Sequence, residues 1–184
     1  MSTPDPAWVG SVLSFWLNEL GESDWFAKSD SLDEQIRVRF LTLHEQVVNS
    51  EGSGLTTSRP LLAAVIVLDQ FSRNLFRGMP RAFAADALAR RLARQAIDQG
   101  FDAAMTSDER LFLYMPFEHS EDRADQVLAV DLMRALGRDD WTRFAEAHKA
   151  IIDRFGRFPH RNAALGRPST PEELAFLEEP DSSF

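Results

Sequence analysis

The sequence predicts an all-α protein, an array of about eight antiparallel helices. Three observations predict it. No stretch sustains the period-2 alternation of a half-buried strand, whereas apolar residues recur three and four positions apart along most of the chain. Capping residues precede these segments, and glycine or proline follows them. The connections are short, as between antiparallel neighbours.

The first helix, 4–19, places Trp8, Val12, Phe15 and Trp16 at helical spacing behind Thr3 as N-cap. Trp25 and Phe26 follow and read as core. Ser31-Leu-Asp-Glu34 is a capping box opening a helix whose core stripe is Ile36, Phe40, Leu43 and Val47, with His44 at its edge. Glu51-Gly-Ser-Gly54 breaks the chain before a third helix, 58–76, that ends at Gly78 and Pro80. A fourth, 86–99, meets Gly100, where a left-handed cap is expected. The box Thr106-Ser-Asp-Glu109 opens a fifth, which Pro116 is expected to kink or break. Ser120 is expected to cap a sixth, with Glu121 and Asp122 in its first turn. The seventh, 140–155, stops at Gly156, and Thr170-Pro-Glu-Glu173 starts a short last helix with proline at its first position. No self-similarity appears at the period of a two-helix repeat. Nor does a linker or composition shift divide the chain, so 1–184 reads as a single all-α domain.

Composition narrows the function classes. The 184 residues are 44% hydrophobic and 27% charged, an ordinary globular balance. Asp and Glu total 29 against 20 Lys and Arg, a net charge of −9 that disfavours nucleic acid as a partner. Within the basic set only Lys28 and Lys149 are lysines. The absence of cysteine excludes disulfides, thiolate metal sites and cysteine nucleophiles. The apolar run Leu61–Leu68 is too short to span a membrane, and the N-terminus has no leader pattern, so a cytoplasmic protein is expected.

Three polar clusters lie where apolar sequence surrounds them. On the third helix, apolar all round over 61–68, the residues Asp69, Gln70, Arg73, Asn74 and Arg77 fall on one arc of about 140°. Such an arc lines a cavity, or it is an ion-pair network tying helices together. The second cluster, Tyr114-Met-Pro-Phe-Glu-His-Ser-Glu-Asp122, sets His119 among Glu118, Glu121 and Asp122, a grouping suited to proton transfer. No HExxH or His-x-x-x-His spacing is present, and no metal site is expected. The third, 156–167, interleaves Phe158 and Pro159 with Arg157, His160, Arg161, Asn162 and Arg167; its arginines can fork onto a carboxylate or phosphate that Asn162 orients. Its arginines are equally suited to pairing with the acidic helices. His148 lies central to an apolar helix face and reads as a core residue. Arg90, Arg91 and Arg94 read as a solvated face, and Glu172, Glu173, Glu178, Glu179 and Asp181 as a solvated C-terminal helix and tail.

These segments together resemble the largely bacterial domain-of-unknown-function family 924. The resemblance runs from Phe15-Trp16 and Trp25-Phe26 through Leu68-Asp-Gln-Phe-Ser-Arg-Asn-Leu-Phe-Arg-Gly78, Ala82-Phe-Ala-Ala-Asp86, 114–122 and His148 to 154–173. Ser72 stands where proline is usual and Met115 where leucine is. The resemblance implies a compact tetratricopeptide-like helical fold, no established activity and no identified cofactor. It implies the same fourteen site residues: Asp69, Gln70, Arg73, Asn74, Arg77, Glu118, His119, Glu121, Asp122, Arg157, His160, Arg161, Asn162 and Arg167.

The expected function is a site for a small anionic ligand with acid/base, hydrolytic or proton-transfer, chemistry. In it Arg73, Arg77, Arg157 and Arg161 bind the anion, His119 or His160 moves a proton, and Asp69 or Glu118 orients it. Whether the chain is an enzyme stays open at this point. The alternative is a tetratricopeptide-like scaffold for a protein or peptide partner, with structural polar clusters.

Overall fold

The computed structural model describes residues 4–180 and 182, and among them every regular element is helical. The elements are α1 Ala7–Ser14, α2 Glu22–Trp25, α3 Asp30–Ser50, α4 Ser58–Ile66, α5 Ser72–Leu75, α6 Asp86–Asp98, α7 Ser107–Glu118, α8 Arg123–Ala135, α9 Asp139–Phe155 and α10 Pro171–Leu177. Two of them run into wide π turns, α1 into Phe15–Glu19 and α4 into Val67–Phe71. Thr3 and Asp181, assigned as a cap and as part of a tail, lie outside the described residues. The chain folds as two compact units: residues up to Arg77 with Arg81–Pro116, and Gly78–Pro80 with the residues from Phe117 onward.

In the first unit α4 is the central element. Leu61 through Val67 are all buried, as an all-apolar helix requires. α1 and α6 pack on α4, and α3 packs on α5 and on the Val67–Phe71 turn. Phe71, at the end of that turn, meets Phe40 at 4.9 Å, Trp16 at 5.5 Å and Phe15 at 6.1 Å between ring centroids. Phe112 of α7 stands edge-on to Trp16 and Trp25, and the Trp25 indole donates to the Trp16 carbonyl at 2.8 Å. His44 is buried rather than at the stripe's edge. Its Nε2 lies 2.8 Å from the Ser72 hydroxyl, which donates to the Leu68 carbonyl.

The second unit is built on the pair α8 and α9. α9 stops where Gly156 adopts φ 70 and its N–H reaches the Ile152 carbonyl, a left-handed cap that a side chain would strain. Ile151, Ile152 and Phe158 form a buried cluster flanked by Phe155 and Phe176. The Thr170/Glu173 capping box forms as the spacing predicts.

Several boundaries differ from the sequence reading for identifiable reasons. Ser29 caps α3, its hydroxyl accepting from Leu32 N–H, while Glu34 of the expected box binds Arg37. Asp122 caps α8 through the N–H groups of Ala124 and Asp125, and Ser120 instead donates to Asp125. α7 continues through Pro116 to Glu118. Proline there removes only the bond to the Phe112 carbonyl, and with the helix ending two residues later the cost falls in its terminal turn. Phe26 is exposed instead of core, and Glu173 is buried instead of solvated.

Candidate functional site

The fourteen predicted residues divide between the units. Asp69, Gln70, Arg73, Asn74 and Arg77 lie in the first, the other nine in the second. In the first unit the Val67–Phe71 turn widens the helix just where the polar residues begin, so they do not follow a regular 100° arc. Asp69 is fully buried and accepts from Gln70 Nε2 at 2.7 Å, and Arg73 Nη1 lies 3.2 Å from its Oδ1. Arg73 also forks onto Asp86 with two contacts of 3.2 Å. Burial works against the Arg73 charge, but the carboxylates of Asp69 and Asp86 outweigh it and raise its pKa. Further along, Asn74 and Arg77 both donate to Asp33 of α3.

In the second unit α7 ends by presenting Glu118 and His119, both buried, and α9 presents His148. Glu118 Oε1 stands 3.1 Å from His148 Nδ1, and the Phe144 carbonyl stands 2.8 Å from the same nitrogen. Two oxygens at Nδ1 place the proton there, which makes Nε2 the lone-pair nitrogen. Burial depresses the His148 pKa well below its ordinary value. His119, Arg161 and His160 push the same way, against the Phe144 carbonyl. The His119 ring lies 6.0 Å from that of His148. Phe158 stands edge-on to His148 at 5.6 Å, with His160 at 5.5 Å and the Arg161 guanidinium 4.5 Å over its ring.

The 156–167 segment is held by two carboxylates. Glu121 accepts from Phe158 N–H at 2.8 Å and from both Arg167 amino groups. Burial opposes the Glu121 charge, but these donors outweigh it and lower its pKa. Glu173 accepts from Arg157, Asn162 and Thr170 N–H, and the Arg157 bond above all brings its pKa to about 2. Asn162 also accepts from Arg167, closing the network.

The sequence reading missed Asp33 and Asp86, His148 as a partner of Glu118, and Gln126. Gln126 is fully buried on α8, and its Nε2 donates to the carbonyls of Glu118 at 2.6 Å and Ser120 at 2.7 Å, closing the end of α7. A glutamine three and four residues before Ala129 and Val130 on an apolar stripe was the available signal. Gln126→Met retains the volume and removes the donor, so it is expected to cost about 1–3 kcal/mol in urea denaturation. Among the described residues no group of three His, Asp or Glu side chains is arranged to hold a metal ion. None of the described helices is long and apolar enough to cross a membrane.

Fold and clusters together define an all-helical protein with buried carboxylate–arginine and carboxylate–histidine networks. The chain belongs to the family described as bacterial protein of unknown function, DUF924, whose model matches residues 12–181. It is similar to a solved protein of unknown function from Agrobacterium tumefaciens, with 42% identity and a TM-score of 0.89, over 94% of this chain and 97% of that one. No curated protein matches it.

Proposed function

We propose that the second unit carries an acid/base site for a small anionic molecule. The observation that carries this reading is the buried Glu118–His148 contact at 3.1 Å, with a second imidazole, His119, at 6.0 Å. A carboxylate and a carbonyl at one imidazole nitrogen orient the other as a general base, the arrangement that proton-transfer and hydrolytic chemistry use. His119 and His160 are the groups that exchange protons with it. Arg161, whose guanidinium lies 4.5 Å over the Phe158 ring, supplies the positive charge for the anion.

A second reading, a helical scaffold for a protein or peptide with structural polar clusters, is supported by a different fact. Arg73, Arg77, Arg157 and Arg167 are each held by carboxylates of this chain.

Thermal unfolding with inorganic phosphate, acetate, oxalate and citrate separates the two. At a hundredfold excess over Kd a ligand stabilises by about 2.7 kcal/mol, roughly 5–10 °C in Tm for a chain of this size. At least one anion is expected to give such a shift in the wild type and in Arg77→Ala, and none in His160→Ala or Arg161→Ala. If no anion shifts the wild type, or the shift survives in both site variants, the acid/base reading fails.

A further inference from the structure

We propose that residues 156–167 form an acid-released strap, seated over His148 only while the His148 imidazole is uncharged. The inference does not rest on the ligand proposed above. The strap enters the unit through Phe158, which is fully buried and stands edge-on to the His148 ring at 5.6 Å. The two residues beyond Pro159 surround that contact, the His160 ring 5.5 Å from Phe158 and the Arg161 guanidinium 4.5 Å above it. A seated strap therefore brings one cation and a second imidazole to an imidazole that it also shuts off from water.

The groups facing His148 come from each neighbouring element. α7 contributes Glu118 and His119, α9 the Phe144 carbonyl, and the strap His160 and Arg161. Around them, Glu121 holds Arg167 and the Phe158 N–H, Asp125 holds Ser120, and Glu173 of α10 holds Arg157. A proton arriving on His148 would sit out of water, beside Glu118 but within the repulsive field of the Arg161 cation. Lifting Phe158 admits water, and His148 then takes up a proton with ordinary affinity. Opening that gains a proton becomes about tenfold more favourable for each pH unit below about 6.5. The two pins do not titrate in that window, since Glu121 is held below its ordinary range and Glu173 near 2. Acid therefore acts on the imidazole side while the pins set the baseline against which the strap opens.

Six amides read the strap: the Phe158 N–H donates to Glu121 and loses that bond when the strap lifts, and Arg161, Asn162, Leu165, Gly166 and Arg167 each donate to a carbonyl within it and follow its loosening. Hydrogen exchange of the full chain between pH 7.5 and 5.5, corrected for the intrinsic pH dependence of exchange, follows them against the amides of α4. Strap amides are expected to exchange through an opening insensitive to low urea, as a local event does, and α4 amides through a steeply urea-dependent one. Strap protection should fall about tenfold between pH 7.5 and 5.5, most of it below pH 6.5. In His148→Gln that pH dependence should vanish. Glu121→Gln should lower protection at every pH and leave the slope unchanged. The imidazole signals of the wild type give an independent measure, since His148 must titrate together with strap opening. Flat strap protection in the wild type overturns the proposal, as does an unchanged slope in His148→Gln. So does strap exchange with the urea dependence of α4, or a His148 titration separate from opening.

Discussion

Asp69→Ala is expected to lower the free energy of unfolding by about 3–5 kcal/mol, the range for removing one partner of a buried charge pair. Asp69 has no exposed surface, and it answers both Gln70 Nε2 and one arm of Arg73. Alanine leaves the Gln70 amide with only the weak Met115 sulfur as acceptor, and the Arg73 side chain, only about one-fifth exposed, with Asp86 as its remaining carboxylate. The loss therefore combines a poorly satisfied donor with an under-compensated cation, each costly away from water. Asp69→Asn, which keeps an oxygen for the Gln70 amide, should cost less than alanine. Urea denaturation of the three proteins measures the ladder. A loss under about 1 kcal/mol for Asp69→Ala would mean that Asp86 alone compensates Arg73.

Acid is expected to destabilise the native state through two histidines. Burial depresses the pKa of both His148 and His44 below the ordinary imidazole value of about 6.5. The sign follows from where protons bind. Above about pH 6.5 both states hold these imidazoles neutral and the full stability is present. Below it the unfolded chain binds a proton that the native chain resists, so stability falls as pH falls, by up to about 1.4 kcal/mol per pH unit for each histidine. The slope ends at each native pKa, and for His148, pushed well down, it should persist further into acid. Denaturation midpoints from pH 7.5 to 5 measure it. His44→Gln and His148→Gln should each remove its own share of the slope, and a stability independent of pH across that range would contradict both assignments.

Much of the helical order was readable along the chain because its signals are local. The Thr106 and Thr170 boxes, the Gly100 and Gly156 caps and the all-apolar 61–68 stretch each depend on residues within one or two turns, and each forms. The errors came where two local signals competed. Ser29 and Ser31 both could cap α3, and Ser120 and Asp122 both could cap α8; Ser29 reaches the Leu32 N–H, and Asp122 reaches two N–H groups, of Ala124 and Asp125, where the Ser120 hydroxyl reaches only that of Asp122. The polar clusters were visible as violations of apolar patterning. Their partners were not, because Asp33, Asp86 and the Glu118–His148 contact bring together positions far apart in sequence. The wide turn at Val67–Phe71 escaped periodicity altogether, since a single turn of altered pitch leaves no mark in composition.

That turn constrains the length of the chain more tightly than its chemistry. Everything on α5 is aimed by the pitch of the turn before it: Ser72 at His44, Arg73 at Asp86 and Asn74 at Asp33. A substitution on α5 severs one of these contacts and leaves its neighbours in place. Losing one residue from the turn would swing the whole helix by about 100° and misdirect all three together. A substitution on α5 is therefore felt at one of these contacts, and a deletion in the turn at all three.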